Sequence, residues 1–166
     1  MAYSLDNKYI YPTIVSMISI LENSSRSIFY TFYILVEKNI FKNKKTFMNL
    51  EKKYDRCKVI IFELTNENLS NASTTRYPIS AYYRLLLATL IPDINRIIYL
   101  DGDTLVFTDL TEMINLEMNN NIMLGFVDNG YETAEIFGIK TYKYITSGVL
   151  LITLKFLSFI ILFFYN

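Results

Sequence analysis

The stretch Arg96-Ile97-Ile98-Tyr99-Leu100, followed at once by Asp101-Gly102-Asp103, constrains this chain more than any other. A short apolar run bounded by a turn signal suits a strand buried on both faces of a sheet. The two acids then put charge at its C-terminal end. Side chains two apart on a strand share a face, with Cα atoms roughly 6.6 Å apart. The pattern thus predicts two carboxylates on one side of a strand end. Their mutual repulsion, about 2.5 kcal/mol at an effective dielectric near 20, is reversed by a divalent cation bound to both. Hard cations such as Mg²⁺ and Mn²⁺ choose carboxylate and phosphate oxygens. Open α/β sheets bind nucleotides at this edge, so the pattern points to a metal site that holds a diphosphate. The alternative, from these residues alone, is an ordinary surface turn.

The rest of the chain alternates helix and strand signals. Ile14, Val15, Ile18 and Leu21 have the spacing of one helix face over 12–21, with Pro12 suited to the first turn. Residues 27–35 are β-branched and aromatic and predict a strand. A basic helix is expected over 41–54 with Phe47, Leu50 and Tyr54 inward, and with Lys42, Lys44, Lys45, Lys52, Lys53 and Arg56 as a solvated face. Further strands are expected over 58–64, 96–100 and 123–127, and a helix over 80–90. This order predicts a mostly parallel sheet covered by helices on both faces.

Composition narrows the function classes. Sixteen basic and 16 acidic residues balance, so charge gives no reason to expect nucleic acid as partner; a small substrate or neutral glycan fits better. The single cysteine, Cys57, has no partner for an internal disulfide and reads as a small buried hydrophobe. The start shows no positive region followed by a long apolar core, so no secretory signal is expected.

Together, Tyr82-Tyr83-Arg84-Leu85-Leu86-Leu87, Leu90-Ile91-Pro92-Asp93, the strand with Asp101-Gly102-Asp103, Asp109-Leu110 and Thr146-Ser147-Gly148-Val149-Leu150-Leu151-Ile152 resemble glycosyltransferase family 8 over residues 3–154. This family contains retaining sugar-nucleotide transferases, among them bacterial lipopolysaccharide glucosyl- and galactosyltransferases and the glycogenins. The resemblance implies a GT-A-like nucleotide-diphospho-sugar transferase fold, incomplete here. A partial nucleotide-sugar-binding domain would span 1–154, with an apolar tail at 155–166. It also implies metal-dependent transfer of a hexose from UDP-glucose or UDP-galactose to a glycan or lipid-linked saccharide, with retention at the anomeric carbon.

Carried over residue by residue, the resemblance gives Ser4, Asp6 and Tyr9 the uridine, and Asp101, Gly102 and Asp103 the diphosphate. Asp101 and Asp103 would also hold Mn²⁺ or Mg²⁺. Arg84 would lie near the donor and help fix the carboxylates; by its residue type alone it equally suits a side chain snorkelling from an apolar helix. Asp128 and Thr146-Ser147 would lie beside the sugar, although Asp128 before Asn129-Gly130 also suits a turn. Thr146 stands where the family has Asn and offers no amide. Gly148 suits close backbone approach or a turn before the strand.

The chain contains no histidine, whereas the resemblance implies a histidine ligand and a carboxamide or acid cluster from a later region. The expectation is a chain cut short at its C-terminus, with a first strand that is either very short or missing its first part through a misplaced start codon. The apolar run after Ile152 reads as either a frameshifted or truncated end or a membrane anchor, with peripheral membrane association of a cytoplasmic protein as the corollary. Two further alternatives are an inactive fragment that keeps UDP and metal binding, and a small membrane-anchored interaction protein.

Overall fold

A computed structural model describes residues 1–38, 44–65, 69, 78–127 and 145–157. The elements are β1 (Ala2–Leu5), a 3-10 turn (Asn7–Tyr9), α1 (Ile10–Asn23), β2 (Tyr30–Glu37), α2 (Lys44–Lys53) and β3 (Cys57–Leu64). A 3-10 helix (Ile79–Leu86) then runs into α3 (Leu87–Leu90), followed by β4 (Arg96–Leu100), α4 (Thr111–Ile114), β5 (Met123–Val127) and β6 (Ile145–Thr153). The strands form one sheet in the order β3-β2-β1-β4-β6-β5. Five strands run one way and β6 runs against them, antiparallel to both β4 and β5. The mostly parallel α/β architecture read from the sequence is therefore the one observed.

β4 buries both faces. Ile98 and Leu100 join Tyr3, Phe32 and Ile34 in a core against α1 and α2. Ile97 and Tyr99 face the opposite way, into a core with Tyr83 and Leu87 from the 3-10 helix and α3. α1 and α2 thus cover the face over which the chain winds outward through β2 to β3. The return to β4 passes over the other face. This is the arrangement right-handed crossovers impose when winding reverses.

Several boundaries and faces differ from those expected. α1 starts at Ile10, which leaves Pro12 within the first turn, where no intrahelical N–H is required. Its inward face is Ile10, Thr13, Ser16, Met17, Ile20 and Leu21, while Val15 is 54% exposed. The face is rotated because two small polar residues point inward. Ser16 Oγ lies 2.9 Å from the Tyr3 hydroxyl and 3.2 Å from Thr104 Oγ1, contacts that an apolar period cannot reveal.

β2 begins three residues later than expected, since Ser25 and Ser27 close a turn before it. Arg56 leaves the solvated lysine face: it donates to Leu21 O, Ser25 O and Ser24 Oγ, capping the C-terminal end of α1. Lys42 lies outside the described residues. The helix expected over 80–90 is mostly 3-10, and Thr146, Ser147 and Gly148 lie within β6 rather than in a turn before it. Residues 154–157 form a helical turn that buries Leu154 and Leu157.

Candidate functional site

β1 and β4 are neighbours at the centre of the sheet but share a single bridge, Ala2 with Tyr99, before they part. To one side of β1 the order runs outward through β2 and β3; to the other it runs through β4. This reversal point, at the C-terminal strand ends, is where an open α/β sheet forms a crevice. A cavity of about 410 Å³ lies there. Its walls include Ser4 from β1, Asp6 and Tyr9 after it, Arg84 from the 3-10 helix, Asp101, Gly102 and Asp103 after β4, and Ser147 from β6.

The Asp-Gly-Asp segment is not a continuing strand. β4 ends at Leu100, and Thr104 folds the chain back by donating from both N (3.1 Å) and Oγ1 (2.8 Å) to Asp101 O. The spacing derived for an extended strand therefore does not apply; a turn, rather than pleat alternation, brings both acids to the cavity. Gly102 is buried against α1, and a Cβ added there would stand 2.3 Å from Thr13 Oγ1. That collision with a helix-borne side chain explains why the central residue has none. Thr13 Oγ1 is itself buried without a hydrogen-bond partner.

Asp101 is held at several points. Its N–H donates to Gly148 O at 2.8 Å, which extends the β4–β6 ladder by one step. Its Oδ1 accepts from Arg84 Nη2 at 3.3 Å and from the Tyr99 hydroxyl at 3.0 Å. Its side chain is nevertheless 37% exposed. Asp103 is exposed, and no described residue bonds its carboxylate.

Arg84 is only 13% exposed. Besides Asp101, it donates from Nε to Ala81 O at 2.8 Å and from Nη1 to Ser147 O, and its guanidinium lies 4.2 Å from the centre of the Tyr99 ring. In a 3-10 helix residues three apart eclipse, so Ala81 sits in register to receive Nε. All three guanidinium nitrogens are engaged, and this arginine braces the 3-10 helix, β4 and β6 together.

At the other end of the cavity, Asp6 caps the 3-10 turn by accepting from Lys8 N through Oδ1 at 2.8 Å. Its second oxygen is left over. The Tyr9 ring is 42% exposed beside it, and the Ser4 hydroxyl donates to Ser80 O. Thr146 does not line the cavity; its Oγ1 faces Gly148 N at 3.5 Å. Asp128 lies outside the described residues.

Sequence reasoning treated Tyr99 as core alone. It is 1% exposed, and burial is the main cause of its raised phenol pKa, so the hydroxyl stays a donor across the working pH range.

Among the described residues no group of three or more His, Cys, Asp or Glu could hold a metal. Asp101 and Asp103 supply a partial set of hard oxygen ligands, with Asp101 Oδ2 free of the bonds that occupy Oδ1. Such a pair suits a cation whose remaining ligands are anionic ligand oxygens and water. Also among the described residues, no helix is long and apolar enough to cross a membrane; residues 158–166 of the apolar tail lie outside them.

Known proteins place this geometry. A curated Haemophilus influenzae protein, provisionally named a glycosyltransferase, is 33% identical over 160 residues; the match covers 92% of this chain and 48% of that relative. The chain thus spans about half the length of this relative. The galactosyltransferase LgtC, in a structure with donor and acceptor sugar analogues, superimposes with a TM-score of 0.75 at 23% identity, covering 93% of this chain and 57% of LgtC. The bifunctional glycosyltransferase WbbM in its apo form gives a TM-score of 0.75 at 18% identity, over 93% of this chain and 31% of WbbM. The two structural likenesses establish a shared GT-A-like fold. Residues 1–157 match the sequence pattern of glycosyl transferase family 8, and the chain belongs to that family.

Proposed function

We propose that the cleft binds a UDP-sugar together with Mn²⁺ or Mg²⁺, and that the chain serves retaining transfer of a hexose to a glycan or lipid-linked saccharide. UDP-glucose and UDP-galactose are the proposed donors, lipopolysaccharide the proposed class of acceptor, and the cytoplasm the proposed location. The observation that carries this reading is the convergence of Asp6 and Tyr9, at the end of β1, with Asp101 and Asp103, at the end of β4, on one cavity at the sheet's reversal point.

The free oxygen of Asp6 accepts the uracil ring N–H, and the exposed Tyr9 ring covers the base face. Asp101 and Asp103 hold the cation. When bound, that cation neutralises charge developing on the leaving diphosphate. Arg84 keeps Asp101 in place, and its engaged nitrogens make it a brace in preference to a direct grip on the sugar. Ser147, at the cavity wall, and Asp128 are the residues proposed beside the sugar, with Thr146 behind Ser147.

Calorimetric titration of UDP with and without Mn²⁺ tests the reading. Metal should strengthen binding, and that gain should disappear in Asp101→Ala and Asp103→Ala; an equal metal response in wild type and both variants would refute it. Release of UDP from UDP-glucose or UDP-galactose in the presence of an acceptor glycan tests turnover. Metal-dependent binding with no sugar transfer would instead leave nucleotide binding as the function.

A further inference from the structure

We infer that Tyr99 is a positioning residue which, with Gly148, fixes which oxygen of Asp101 is offered to a divalent cation. The inference rests on the cation reading above and deepens it. Tyr99 is buried near the end of β4, and its hydroxyl donates to Asp101 Oδ1 at 3.0 Å.

Oδ1 therefore carries two donors, one neutral and one from Arg84. Oδ2 is constrained from the opposite side. A Cβ placed on Gly148 would stand 3.0 Å from Oδ2 and 3.6 Å from the carboxyl carbon. The missing side chain leaves just enough room for the carboxylate plane observed. Tyr99 and Arg84 hold one oxygen and Gly148 makes space for the other, so Oδ2 is the oxygen directed to a cation. Tyr99 is not among the residues lining the cavity; its hydroxyl reaches the cleft through Asp101, and its ring, which Tyr99→Phe keeps, carries the Arg84 guanidinium. Partners that orient a metal ligand in this way typically change metal affinity by about 10- to 100-fold when removed.

The test compares wild type with Tyr99→Phe, Gly148→Ala and Asp101→Asn. Free Mn²⁺ is followed by electron paramagnetic resonance at saturating UDP, and uridine binding is measured separately without metal. Tyr99→Phe should weaken Mn²⁺ binding by about 10- to 100-fold and leave uridine affinity unchanged. Gly148→Ala, which retains the buried phenol, should weaken Mn²⁺ binding in the same sense and carries the test if Tyr99→Phe does not fold. Equal losses of Mn²⁺ and uridine affinity in the folded variants would indicate a general structural role and overturn the inference. So would wild-type Mn²⁺ binding in both variants alongside its loss in Asp101→Asn. Wild-type Mn²⁺ binding in Asp101→Asn would instead overturn the cation reading, and this inference with it.

Discussion

Thr13 and Gly102 meet where α1 supports the acidic turn, and each makes a prediction. Gly102→Ala puts a methyl group 2.3 Å from Thr13 Oγ1. Overpacking of this kind destabilises by about 1–3 kcal/mol, which urea denaturation should show, and metal-dependent UDP binding should fall because the turn must move. Thr13→Val has the opposite character. The hydroxyl is fully buried without a partner, and removing an unsatisfied polar group while keeping its shape is neutral or stabilising. A loss above about 1 kcal/mol in the same experiment would show that the hydroxyl has a bound partner. The acids and their glycine were legible in the sequence because charge at the end of an apolar run has few explanations. The contribution of Tyr99 was not, because an aromatic residue inside such a run looks like any other core residue until its hydroxyl is seen against a carboxylate.

The ends of helices show what holds this cleft's supports. Arg56 reaches from the start of β3 to the carbonyls at the end of α1, where a cation also complements the helix dipole. Arg56→Ala should destabilise by about 1–2 kcal/mol, and Arg56→Lys should restore only part of that, since a single ammonium cannot reproduce the planar fork. At α4, Asp109 accepts from Thr111 N and Oγ1 and from Ser25 N, and these bonds lower its pKa from 3.8, with the Ser25 contribution largest. A carboxylate with a depressed folded-state pKa adds stability above its unfolded pKa and loses it as pH falls through the folded value. Thermal melts should therefore show wild type above Asp109→Asn at neutral pH, with the gap closing as pH drops below 3.8. β4, β5 and β3 were readable nearly to the residue because continuous apolar runs leave little choice of period. The winding of Ile79–Leu86 was not: α and 3-10 periods differ by less than one residue per turn, and packing of Ser80 and Tyr83 decides between them.

The whole molecule is a two-faced sheet whose second core reaches the final described turn, where Leu154 and Leu157 are buried. Burial of a leucine contributes roughly 1.5–3 kcal/mol. A chain ending at 153 should therefore lose about 3–6 kcal/mol relative to one ending at 157, measured by chemical denaturation. Comparable stability would mean that neither leucine is held as described. The general architecture was legible because strand and helix signals alternate. The reversed direction of β6 was not, since pairing direction leaves little mark on the order of apolar residues. The early parting of β1 and β4 also makes the crevice a gauge of ligand length. Asp6 and Asp101 hang from adjacent rails of backbone, so the span between them is set by the sheet and cannot be shortened by swinging a side chain. A nucleoside monophosphate should engage the Asp6 end alone and gain little from added metal, whereas a diphosphate reaches both rails.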